Sequence, residues 1–167
     1  MKTALPKINL SQFKSPTALI QNFWGKFNKV PGGNKVFSAI VGHFIPYTGS
    51  VSPIIQKIEN GSTSVLMKDK KAVRNHLNCI HAIALANVGE FTTGLSVISQ
   101  LSEFAKAILV HIEVEYLKKA RGDLIAETNF KIPANLSQDT EFKVVAHIKN
   151  SHQEVVTKVT ATWRVRP

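Results

Sequence analysis

The chain has 167 residues, 44% of them hydrophobic and 19% charged, and contains a single cysteine. That is the size of one ordinary domain able to bury its own core, and the composition excludes a disordered segment and a disulfide scaffold. A formal net charge of +10 draws such a chain toward polyanions (nucleic acid, an anionic membrane surface or a phosphate-bearing small molecule) without choosing among them.

The stretch MKTALPKINL lacks a continuous apolar run of signal-peptide length, and the lone Cys79 can form no internal disulfide. Both fit a reducing compartment and predict a cytoplasmic protein. Residues 1–14 read as a poorly ordered lead. Ser15 followed by Pro16 makes a cap and first-turn pair, and Leu19, Ile20, Phe23, Trp24 and Phe27 then recur at helical spacing. Pro31-Gly32-Gly33 ends this amphipathic helix. A second helix is expected from Asn34 to His43, before Pro46, with a turn over Tyr47-Thr48-Gly49-Ser50.

From Val51 the pattern changes to strands. Val51 to Ile58, the turn pair Asn60-Gly61, and Ser62 to Met67 read as a hairpin. Lys68, Lys70 and Lys71 gather around Asp69 as a solvated turn. Asn75 to Leu101 then reads as one long helix, apolar on most sides, with Asn75 or Asn78 as its cap. His81, Asn87 and Glu90 inside the run argue for burial in protein rather than in a bilayer, where uncompensated polar groups are costly. Cys79 reads as small apolar filler on this helix.

Four alternating segments follow. Ile108, Val110, Ile112, Val114 and Tyr116 form the first face, and Leu124 to Phe130 follow the Arg121-Gly122-Asp123 turn. Phe142 to Ile148 and Val155 to Val165 complete the set, the last two joined by the Lys149-Asn150-Ser151-His152 turn. Each is expected to bury one face, and the four together can form an antiparallel meander. The class is therefore α+β, a sheet curled around a central helix, since no other segment can cover so much apolar helix surface. No zinc-type cysteine spacing, H-E-x-x-H, phosphate loop or G-x-S-x-G elbow occurs, and no metal site is expected.

Two motifs add a resemblance. Asn75-His76-Leu77-Asn78-Cys79-Ile80-His81-Ala82, with Glu90 nine residues after the histidine, is similar to the N-x-x-G-x-x-H-G-G pattern of phenylacetate-pathway-type thioesterases. Glu115-Tyr116-Leu117-Lys118-Lys119-Ala120-Arg121-Gly122-Asp123-Leu124 resembles their Y-L-R-P-A-R-G-x-L turn. With PYTGS at Pro46 to Ser50, these resemble a little-characterised bacterial branch of the hotdog-fold acyl-CoA thioesterase superfamily. Asn78 stands where that pattern has glycine, and Ala82-Ile83 where it has Gly-Gly.

The resemblance implies a single hotdog domain, with 1–47 as an N-terminal helical extension and 48–167 as the core, assembled as a homodimer or homotetramer. It also implies an acyl-CoA substrate, no separate cofactor, and a site at the subunit interface. Thioester hydrolysis needs a positive pole for the carbonyl oxygen and a base or nucleophile at the carbon. The opening amides around His81 and Ala82 supply the first. Glu90, with a pKa raised by burial, supplies the second, and Asn75 orients the thioester or the water. His81 is expected to act mainly through hydrogen bonding.

Along a helix, nine residues turn through roughly 900° and rise about 13 Å, so His81 and Glu90 would lie on opposite sides. One helix cannot offer both to one carbonyl, whereas two antiparallel helices in a dimer can. Lys118, Lys119, Arg121 and Gly122 form the turn expected to meet the phosphates of coenzyme A. The competing functions are a non-catalytic acyl-CoA or lipid binder and, lacking any recognition motif, a basic nucleic-acid binder. Neither nucleic acid nor membrane is the expected partner.

Overall fold

The computed structural model describes residues 16–102, 104–134 and 136–167, with backbone alone at 16 and 17. The expected lead over 1–14 and the Ser15 cap lie outside the described residues. The amphipathic pattern forms α1 (Pro16–Phe27), whose Leu19, Ile20, Trp24 and Phe27 are buried. Trp24 and Phe27 pack their rings against Phe37 of α2 (Gly33–Phe44), at centroid distances of 5.5 and 5.7 Å.

The segment read as a turn over Tyr47–Ser50 is instead a short helix, α3 (Pro46–Val51). Pro46 presets the first turn, and Gly49 lies against α2 so closely that a Cβ there would come within 2.3 Å of the Gly42 carbonyl oxygen. Close packing thus turned a turn-like composition into helix.

The hairpin is β1 (Ile54–Glu59) and β2 (Ser62–Met67), so the first strand begins at Ile54 rather than Val51. Three strands, β4 (Leu124–Asn129), β5 (Thr140–Lys149) and β6 (Val155–Arg166), do form a meander. The expected four-strand meander fails at β3 (Lys106–Tyr116), which pairs with β6 rather than β4. The order of the six-stranded antiparallel sheet is β1-β2-β4-β5-β6-β3. The β3–β4 connection therefore crosses the sheet, carrying the chain from one edge strand to the neighbour of β2.

The expected face of β3 is also corrected. Val110 is an extra residue between Leu109, opposite Trp163, and His111, opposite Thr162. A bulge of this kind moves every later side chain to the other face. Leu109, Ile112 and Val114 thus share the side of buried Trp163, Ala161 and Val159, while Ile108 pairs with exposed Arg164. Being at the edge, β3 leaves Ile108, Val110, Ile112 and Tyr116 exposed, at 62, 40, 37 and 49%.

The central helix is α4 (Ala82–Ile98), shorter than the expected 75–101 because Arg74 and Ile80 pair as an isolated antiparallel bridge before it. It touches all six strands, so the sheet does curl around it. Its far end is completed from a distance: Gln21 of α1 donates to the carbonyls of Ile98 (3.2 Å) and Leu101, two of the acceptors a helix end leaves open. Trp24 donates to the Ile58 carbonyl (3.1 Å), and Ser38 accepts from the Ile55 amide (2.8 Å), fixing α1 and α2 on β1. Among the described residues no helix is long and apolar enough to cross a membrane.

At Gly89 the helix meets β6 so closely that a Cβ would fall 2.3 Å from Val159 Cγ2. Gly89→Ala is expected to cost about 1–3 kcal/mol by overpacking, read as a lower urea midpoint at an unchanged slope. An unchanged midpoint would mean that β6 yields freely at this contact.

Candidate active site

The entrance to α4 is a tight loop. Asn75 is not a helix cap: its Oδ1 accepts from the amides of Leu77 (2.9 Å) and Cys79 (3.2 Å), closing a local turn. Its Nδ2 donates to no described residue. Nor does Asn78 cap the helix. It sits at φ 53, a left-handed conformation that asparagine tolerates and glycine prefers, which is compatible with the glycine of the pattern it resembles.

The cap is His81, whose Nδ1 accepts from the Ile83 amide (3.1 Å). Nδ1 acts as the acceptor in that bond, and Nε2 has no partner among the described residues. The His81 carbonyl takes the Leu85 amide, so the amides of Ala82 and Ala84 have no partner among the described residues. They open beside a shallow hollow of about 410 Å³ whose lining includes Tyr47, Arg74, His81 and Ile83. Tyr116 donates to the Ala82 carbonyl (3.0 Å), bringing the end of β3 to the same corner.

Ile83, Ala86, Asn87 and Glu90 form the stripe of α4 beyond its entrance that the sheet leaves partly uncovered. The Glu90 carboxylate has neither a cation nor a hydrogen-bond donor among the described residues. Burial raises its pKa above the ordinary glutamate value, as expected. It borders an apolar hollow separate from the one at His81.

One chain therefore does not bring the helix entrance and Glu90 together. His81 is extended (φ −65, ψ 139), so its side-chain direction is not set by helical rotation and the expected opposite-sided placement does not apply to it. Within the helix, Ala82 and Glu90 are eight residues and about 12 Å apart along the axis.

The basic turn lies next to the helix entrance. Ile80 donates to the Ala120 carbonyl (2.8 Å), and the Gly122 amide donates to Asp69 Oδ2 (2.8 Å). Arg74 donates to Asp69 (2.6 Å) and, with the Gly122 amide, holds its carboxyl below the usual range. Lys68 and the Asp69 amide fasten Asp123 in turn. The charged run read as a solvated turn is thus a clamp between the end of β2 and the turn at Gly122. Lys118 is paired with Glu154 (2.6 Å), whereas Lys119 and Arg121 have no partner among the described residues.

Two features were missed in the sequence. Asn87 donates to Thr48 (3.2 Å), and its buried Oδ1 has no partner among the described residues. Its signal was its position one turn before Glu90 in an otherwise apolar run. Trp163 donates to Thr93 Oγ1 (3.1 Å), a contact between α4 and β6 that no local pattern announces.

A six-stranded antiparallel sheet curled around α4 is a hotdog fold, the fold shared with thioesterase-like proteins. Within it, the chain belongs to the family described as Domain of unknown function (DUF4442), which matches residues 33–165.

The chain is similar to the structural-genomics protein APC5556, at 26% identity and a TM-score of 0.76, over 90% of this chain and 97% of that one. It is also similar to a Pseudomonas aeruginosa protein of unknown function described as a probable thioesterase, at 17% identity and a TM-score of 0.70, over 77% and 92%. A thioesterase enzyme of Staphylococcus aureus, solved in mutant form, matches at 15% identity and a TM-score of 0.65, over 73% and 99%. No curated protein matches by sequence.

Proposed function

We propose that the protein hydrolyses an acyl-CoA thioester at a site shared by two chains. The observation that carries this reading is Glu90: a half-buried carboxylate with no neutralising partner among the described residues and a pKa raised by burial. Such a group is costly to keep unless it holds a proton or moves one.

In the reaction, the Glu90 carboxylate of one chain takes a proton from water as the water oxygen bonds to the thioester carbonyl carbon. Charge collects on the carbonyl oxygen, where the Ala82 amide of the other chain and Asn75 Nδ2 donate to it and the dipole of α4 adds its field. The C–S bond then breaks, and the proton on Glu90 passes to the leaving sulfur. Free acid and thiol result. His81, whose Nδ1 accepts from the Ile83 amide, positions the first turn.

Edge strand β3 and the stripe beginning at Ile83, itself 53% exposed, supply the surface for pairing two copies. The release of thiol from short, long and aromatic acyl-CoAs is the test, and no release above background from any of them would overturn hydrolysis. One observation favours the non-catalytic binder as second reading: the Ile83 side chain stands at the helix mouth, where glycines would let a thioester approach the amides.

Lys119 and Arg121 would meet the coenzyme A phosphates, with Gly122 held in the turn by Asp69. Replacing both cations by Ala is expected to raise KM about three- to ten-fold, and less at high salt. The kcat should stay within two-fold, on the order of an exposed-charge effect. An unchanged KM at low salt would place the phosphates elsewhere.

A further inference from the structure

The hollow bordered by Glu90 is small, about 70 Å³, and nearly all apolar. Phe91, Leu95 and Ile98 of α4 and Trp163 of β6 form part of its wall. The rest comes from the N-terminal helices: Ile20 of α1, Ile45 at the α2–α3 junction, and Thr48 of α3. Gly94 faces Trp163, where a Cβ would stand 3.0 Å from two ring carbons, so the gap between helix and indole is already closed down.

Besides Glu90, the lining holds two polar groups, both engaged: the Thr48 hydroxyl by Asn87 and the Trp163 indole N–H by Thr93. The hollow therefore presents hydrocarbon to an occupant, with the single free polar group at Glu90. That is the layout required by an acyl group whose carbonyl stops at the carboxylate and whose chain runs on into the protein.

We propose that this hollow is the acyl subsite and that Ile20 and Ile45 form its closed end, so that the N-terminal helices select short, straight acyl chains. The assignment rests on the acyl-thioester reading and deepens it. An apolar cavity of about 150 Å³ takes up benzene, with six carbons. A space about half that size holds roughly three carbons beyond the carbonyl, which points to butyryl thioesters and against decanoyl and benzoyl ones. Ile20 is anchored from both sides, since its neighbours Gln21 and Trp24 bond to the end of α4 and to β1, and the closed end is held in place.

The test is kcat/KM across acetyl-, butyryl-, hexanoyl-, decanoyl- and benzoyl-CoA, with binding of the matching non-hydrolysable thioether analogues measured in parallel by calorimetry. The wild type should favour butyryl over decanoyl at least ten-fold, since a single misfitted methylene in an apolar pocket is worth about 10- to 200-fold. Ile20→Ala, which lengthens the hollow, should move the optimum to hexanoyl or beyond, and the milder Ile20→Val should move it the same way by less. Gly94→Ala should move it toward acetyl.

Folding of each variant is confirmed by circular dichroism. If Ile20→Ala does not fold, Ile20→Val and Gly94→Ala still decide the matter. Thiol release with a chain-length profile that no folded variant alters would overturn the subsite and leave hydrolysis standing. Absence of thiol release, with analogue binding that follows the same chain-length shifts, would overturn hydrolysis and support the subsite. A wild type that neither hydrolyses nor binds any of the series would overturn both.

Discussion

Replacing Glu90 by Gln is expected to lower acyl-CoA turnover by about 10²–10⁴, the range that general acid or base action contributes. Gln keeps the size and polarity of the side chain while removing the base, so substrate binding should change little. Turnover within ten-fold of wild type would return Glu90 to a structural role.

The same substitution has a signature in stability. Because burial raises the pKa of Glu90, the folded chain holds a proton that the unfolded chain has already released. Stability from this group is therefore present below the ordinary glutamate value and is lost as pH rises from there through the raised folded value. The Tm of wild type should fall relative to Glu90→Gln across that window and run parallel to it above. Parallel melting at every pH would mean that the carboxylate titrates as an exposed one does.

A second large effect is expected from mixing two dead chains. The entrance to α4 and Glu90 border separate hollows in one chain, so a site that uses both takes them from different subunits. Asn75→Asp is the better partner mutation than Asn75→Ala. It keeps an oxygen to accept from the Leu77 and Cys79 amides while removing the Nδ2 donor and adding a negative charge where the carbonyl oxygen must gain its own.

Each variant alone should lose at least a hundred-fold, on the scale of one oxyanion donor or one general base. After dissociation and reassociation, a one-to-one mixture should recover up to about a quarter of wild-type activity. Half the dimers are then mixed, and each holds one of its two sites intact. Mixed chains that stay inactive after proven exchange would place both groups in one subunit's site.

How far the sequence disclosed this arrangement depended on whether a signal was local. Apolar residues on all sides of 80–98 marked a buried helix, and Asn60-Gly61 marked a hairpin, because both rest on neighbouring residues. The start of α4 was misread by seven residues, since Asn75 and Asn78 are good caps by composition. What stops the helix at His81 is a bridge between Arg74 and Ile80 and a bond from Ile80 to Ala120, which are tertiary contacts.

The alternation from Ile108 to Tyr116 looked like one face, because a bulge at Val110 adds a residue without altering the apolar count. Pairing of β3 with β6 rather than β4 had no signal in either strand. As for the site, Glu90 and the basic turn were legible as motifs. The role of Asp69 was not, because its partners Arg74 and Gly122 come from both sides of α4 in the chain.

The crossing of β3 to the far edge also sets an order of events. Its hydrogen-bonding partner, β6, is made only after β4 and β5, so β3 and one flank of α4 must wait, apolar and unpaired, while the strands between them are synthesised. Pairing across so long a stretch of chain is slow to form, and the waiting strand is open to other chains in the meantime. A nascent chain interrupted before Val155 would keep one flank of α4 and the unpaired, apolar β3 exposed together, the kind of surface that chaperones bind and proteases clear.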